Sequence, residues 1–105
     1  MFSQNREEDT SLHELRRIVS PIACKYGIRR VILFGSRARG DNRSDSDYDF
    51  IILCPDNMGL IGLVNFRGEL MNALKRPVDF AYEGYLTEGF NSIVGEEKVL
   101  IYESE

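Results

Sequence analysis

Three aspartates and a Gly-Ser turn are the residues of this chain best suited to chemistry. Residues 35–49 read Gly-Ser-Arg-Ala-Arg-Gly-Asp-Asn-Arg-Ser-Asp-Ser-Asp-Tyr-Asp, so ten residues separate Ser36 from the pair Asp47 and Asp49. That pair opens an apolar run, Phe50-Ile51-Ile52-Leu53-Cys54, and a third acid, Asp79, interrupts another, Val78-Asp79-Phe80-Ala81-Tyr82. Side chains at i and i+2 of a strand point the same way, which sets Asp47 and Asp49 on one side. Two ionised carboxylates about 5 Å apart repel by roughly 3 kcal/mol at an effective dielectric near 20. A proton, water or a cation must relieve that, and a hard divalent ion with oxygen ligands such as Mg²⁺ does so. Asp is depleted in strands and seldom buried without a partner, so Asp79 is expected at the same site if its strand neighbours the Asp49 strand. Three carboxylates then have the capacity for two Mg²⁺ ions, one holding a triphosphate and one activating an attacking hydroxyl. Asp79 is the acid best placed to help deprotonate that hydroxyl.

The Gly-Ser turn supplies the other half. Gly35 tolerates positive φ and lets the backbone approach a ligand closely. Amides after it, at the head of a short helix through Ala38, and the Ser36 hydroxyl suit phosphate oxygens. Arg37 and Arg39 are two apart and do not share a helical face, so at most one of them reaches phosphate. Gly40 ends the turn. The combination is equipment for moving a nucleotidyl group.

Rival motifs fail. Neither G-x-x-x-x-G-K-[ST] nor G-x-G-x-x-G occurs. Asp45, Asp47 and Asp49 mimic half of a calcium loop, but Phe50 stands where its glycine is needed. Cys24 and Cys54 read as small core residues, and no Cys/His cluster points to zinc. The single histidine, His13, falls near the start of a surface helix.

These groups need a frame. At 105 residues the chain has room for one domain. Residues 1–9 read as a frayed N-terminus and 10–105 as the domain. Ser11 with Glu14 is a capping-box pattern, and Leu12, Leu15, Ile18, Val19, Ile22, Ala23 and Tyr26 form a helical stripe. Pro21 predicts a kink or a restart there, and Gly27 a stop. Strands are expected over 28–34, 48–54 and 78–82, with a short last one over 98–102. Leu60, Ile61, Leu63, Val64, Leu70, Met71 and Leu74 outline a second long helix, weakened by Gly59, Gly62 and Gly68. A weak helix is expected over 86–94. The order predicts an α+β fold: a small mixed β-sheet with helices packed on it.

Charge refines the partner class. The formal charge of −4 disfavours direct DNA binding, while Lys25, Arg29, Arg30, Arg37, Arg39 and Arg43 suggest a positive rim around the turn, suited to a small polyphosphate. No apolar run is long enough to span a membrane, and the polar, acidic start does not read as a secretory signal, so the cytoplasm is the expected compartment.

Taken together, Phe34 to Gly40 (F-G-S-R-A-R-G), Ser46-Asp47-Tyr48-Asp49-Phe50 and downstream Asp79 resemble the G-S-x10-D-x-D signature of minimal nucleotidyltransferases (MNT) of the DNA polymerase β-like superfamily. The resemblance implies a polymerase β-like core in which Gly35 and Ser36 bind the triphosphate of ATP. It implies Asp47 and Asp49 as Mg²⁺ ligands and Asp79 as the third catalytic carboxylate. It further implies an antitoxin that transfers AMP from ATP to a tyrosine of a HEPN toxin encoded nearby. Two other readings fit the same residues: a non-catalytic antitoxin that covers its partner, or an enzyme whose acceptor is a small molecule or an RNA end. A chain without a second core must find its acceptor through a partner or a self-associated copy. The second helix, Phe66, Tyr85 and Phe90 are candidates for that surface, with core packing the ordinary alternative.

Overall fold

In the computed structural model the described residues are 11–83 and 97–104. Helix α1 spans Leu12–Lys25, and its start follows from Ser11, whose hydroxyl accepts the Glu14 amide at 3.1 Å. Pro21 lies inside an unbroken helix rather than at a restart. Its ring faces solvent, where the carbonyl left without an amide can be hydrated. Gly27, at φ +71, turns the chain into β1, Arg30–Phe34. That strand starts two residues later than expected, because the Ile28 amide still bonds back to the Ala23 carbonyl at 2.9 Å. The remaining elements are α2 (Ser36–Arg39), β2 (Tyr48–Leu53), α3 (Leu60–Leu74), β3 (Val78–Tyr82) and β4 (Val99–Glu103). The expected helix over 86–94 lies outside the described residues.

The four strands lie in the order β3-β2-β1-β4. β1 is antiparallel to β2 and β4, whereas β2 and β3 are parallel and joined through α3. Alternation then sorts the residues. Val31, Leu33, Tyr48, Phe50, Ile52 and Val78 are buried in one core with Leu15, Val19 and Ala23 of α1 and Phe66, Leu70 and Leu74 of α3. Arg30, Phe34, Asp49 and Asp79 project from the other face, since Phe34 pairs with Asp49 and Asp49 with Asp79.

One open choice about packing is resolved and one expectation changes. Phe66 is a fully buried core residue, while Leu60, Ile61 and Val64 are exposed. The buried stripe of α3 is the i, i+4 series Phe66, Leu70, Leu74, which the near-continuous apolar run at the head of the helix masked. Cys24 is exposed and Cys54 only half-buried, so Cys24 is not a core residue. Tyr85 and Phe90 lie outside the described residues.

Candidate active site

Register, not proximity in sequence, assembles the acids. Asp49 is the second residue of β2 and Asp79 the second of β3, and the parallel pairing sets them side by side. Asp47 lies just ahead of β2, two residues from Asp49 and near enough for its charge to act on that acid. The electrostatics agree. The Asp49 carboxyl is pushed above its ordinary value of 3.8, first by burial and then by the negative charges of Asp79 and Asp47, with Arg39 opposing. Asp47 and Asp79 are exposed, and no ion pair joins any of the three to a described residue. They are neighbours by charge rather than a closed cage, for no three ligand-type side chains among the described residues meet the geometry of a metal cluster.

The Gly-Ser turn lies against this group. Gly35 has φ +79, a conformation that strains other residues. A Cβ built there would stand 2.5 Å from an Asp49 carboxylate oxygen. Glycine therefore lets the turn and the acid approach each other. Gly35 precedes α2 as its cap, the amides of Ala38 and Arg39 bond the Gly35 carbonyl at 3.1 Å, and Gly40 closes the turn at φ +84. Ser36 is the first residue of that turn.

The arginines divide as their spacing requires. Arg39 is exposed and pairs with Asp41 at 3.2 Å, and its charge favours the ionised form of Asp49. Arg37 turns instead to the loop before β2, donating through Nε and Nη2 to the Ser46 carbonyl (3.1 and 2.8 Å) and through Nη2 to that of Ser44 (3.1 Å). Its guanidinium stacks 4.0 Å from the centre of the Tyr48 ring. The expected positive rim disperses: Lys25 pairs with Glu69 between α1 and α3, and Arg30 pairs with Glu83 and Glu103 at the far end of the sheet.

Sequence reasoning missed Arg76. From the turn before β3, its Nε donates to the Ser44 carbonyl at 2.7 Å. The only signal was a basic residue just before the Pro77 that leads into the Asp79 strand, which is too common a pattern to single out.

In donor type the three carboxylates of Asp47, Asp49 and Asp79 suit a hard divalent ion such as magnesium, with no nitrogen or sulfur ligand among them. Residues 17–105 match the family model for polymerase beta nucleotidyltransferases, and the chain belongs to that family. It is therefore a nucleotidyltransferase with the small mixed sheet of that family. Among individual relatives, it is 33% identical over 69 residues to an assigned protein adenylyltransferase of Methanocaldococcus jannaschii, covering 66% of this chain and 74% of the other. A solved structure described as a minimal nucleotidyltransferase is 30% identical, with TM-score 0.70 over 84% of this chain and 90% of the other. The same fold, at 16% identity and TM-score 0.64, occurs in a complex from Shewanella oneidensis of an MNT antitoxin with a tri-AMPylated HEPN toxin, over 90% of this chain and 74% of that one.

Proposed function

We propose that this chain transfers AMP from ATP to a hydroxyl of a partner protein, a tyrosine of a HEPN-type toxin, and so silences it. The observation that carries the reading is the parallel register that levels Asp79 with Asp49 beside Gly35. In this reading Gly35, Ser36 and the exposed Arg39 receive the triphosphate. Asp47, Asp49 and Asp79 would hold magnesium, which when bound neutralises phosphate charge and makes the acceptor hydroxyl more acidic. The acceptor oxygen forms a bond to the α-phosphorus while the bond from that phosphorus to the β-bridging oxygen breaks. Pyrophosphate leaves, and the hydroxyl proton passes to a carboxylate, for which exposed Asp79 is the best placed. The raised proton affinity of Asp49 follows first from burial and then from the charges of Asp79 and Asp47, and a bound divalent ion would oppose it.

The relatives support the chemistry by what they are described to do: protein adenylylation in one, an AMPylated HEPN toxin beside an MNT antitoxin in another. Incubation with labelled ATP, Mg²⁺ and the protein encoded next to this one should label that protein, and Asp47→Asn should not. Label on no neighbour, or protection of cells by Asp47→Asn equal to that by the natural chain, would replace catalysis with simple covering.

A further inference from the structure

Two arginines from separate elements meet at one backbone oxygen. The Ser44 carbonyl accepts from Arg37 Nη2 at 3.1 Å and from Arg76 Nε at 2.7 Å. Arg37 belongs to α2, directly after the Gly-Ser turn, and Arg76 to the turn that leads into β3. Ser44 lies three residues before Asp47, and Arg37 also holds the Ser46 carbonyl immediately before that acid. The loop is braced internally too, for the Ser46 hydroxyl accepts the Arg43 amide at 2.9 Å while the Ser46 amide bonds the Arg43 carbonyl at 3.0 Å. On the far side of Asp47, the Tyr48 amide bonds the Pro77 carbonyl at 2.9 Å, and the Tyr48 ring receives the Arg37 guanidinium. Arg67 of α3 completes the frame by donating to the Val78 carbonyl, next to Asp79, at 2.7 Å.

We infer that Arg37 and Arg76 are positioning residues: a clamp on the Ser44 carbonyl that fixes where Asp47 stands relative to Asp79. The inference rests on the proposed role of these acids. Three facing carboxylates push one another apart, so something other than their own contacts must hold the backbone that carries them. Asp47 is the member most in need of this, because it precedes the strand and lacks the ladder bonds that fix Asp49 and Asp79. A forked guanidinium suits the task, since it donates to two carbonyls in one plane while stacking on an aromatic ring, which a lysine ammonium does not. The clamp gives Arg37 a task other than the phosphate binding that its spacing left open to only one of Arg37 and Arg39.

The test compares the full chain with Arg37→Gln, Arg76→Gln, the double variant and Arg37→Lys. Amide hydrogen exchange of the metal-free protein should quicken about tenfold across residues 43–48 in each single variant while α1 exchanges as before. Mn²⁺ affinity, followed by electron paramagnetic resonance, should fall about tenfold. AMP transfer should lose kcat with the KM for ATP moving less than about threefold, the double variant should fall well short of the product of the singles, and lysine should not rescue. Unchanged loop exchange with a KM raised more than about tenfold at constant kcat would overturn the clamp and make these arginines triphosphate ligands. Faster exchange through the whole domain with unaltered Mn²⁺ affinity would overturn it as well, leaving only a general structural role. A natural chain that transfers no AMP would sink the proposed function, whereas the exchange and Mn²⁺ measurements would still decide the clamp.

Discussion

The two ends of one small sheet treat charge in opposite ways. At the start of β1, Arg30 lies between Glu83 and Glu103, bonding Glu103 at 3.0 Å and reaching Glu83 as well, so each acid has a cation. At the other end, Asp47 and Asp79 both press their negative charge on Asp49, and the charge that opposes them is that of Arg39, itself paired with Asp41. β1 separates the two ends by roughly 13 Å, given about 3.3 Å per residue. The difference teaches what each end is for. Paired acids tie strands together, whereas like charges side by side work against a metal-free fold, a cost that the proposed bound cation would relieve.

Breaking the comparison at the site should produce the largest effect. Asp47→Asn or Asp79→Asn should lower AMP transfer by at least about 10²–10³-fold, since each would take away a carboxylate of the proposed magnesium site, while circular dichroism stays unchanged. Gly35→Ala comes next. Its Cβ must displace an Asp49 oxygen at a positive φ, so a loss of about 1–3 kcal/mol in urea unfolding is expected along with activity. At the far end, Arg30→Met should cost about 1 kcal/mol, an amount suited to half-exposed pairs, and leave transfer as it was. A large loss of transfer there would show that the two ends are coupled.

The smallest effect has the opposite sign. Because Asp49 holds its proton more tightly folded than unfolded, its ionisation works against the fold. The metal-free protein should therefore gain stability from this group as pH falls through the raised value toward 3.8, and lose it again as pH rises. Asp49→Asn should flatten that dependence and raise the melting temperature at neutral pH slightly. A lower melting temperature would mean that the Asp49 carboxylate makes favourable contacts outweighing its burial and the like charges beside it.

Much of this was legible in the residues, for reasons that are physical. Ser11 with Glu14 announced α1, and apolar runs announced β1, β2 and β3. An acid inside the apolar run 78–82 could be read as functional because strands seldom carry one without a partner. Its meeting with Asp49, however, depended on parallel pairing through α3, and a one-residue slip would have turned Asp79 to the core face. Side-chain partners were less legible still. Arg30 and Arg37 are both cations within eight residues of one another, yet one bridges strand-end acids and the other holds a loop, because sequence lists charges without the backbone oxygens they reach. Arg76 was invisible for the same reason. Phe66 was hidden by composition, since Leu60, Ile61 and Val64 look equally suited to a core and are instead exposed.

The most direct measurement is Mn²⁺ binding, followed by electron paramagnetic resonance, in the natural chain, Asp79→Asn and Glu83→Gln. If the acids of β2 and β3 act as one site, Asp79→Asn should weaken binding by about tenfold or more and Glu83→Gln should bind as the natural chain does. Equal affinity in all three would contradict the shared site and, with it, the account of how this chain moves AMP.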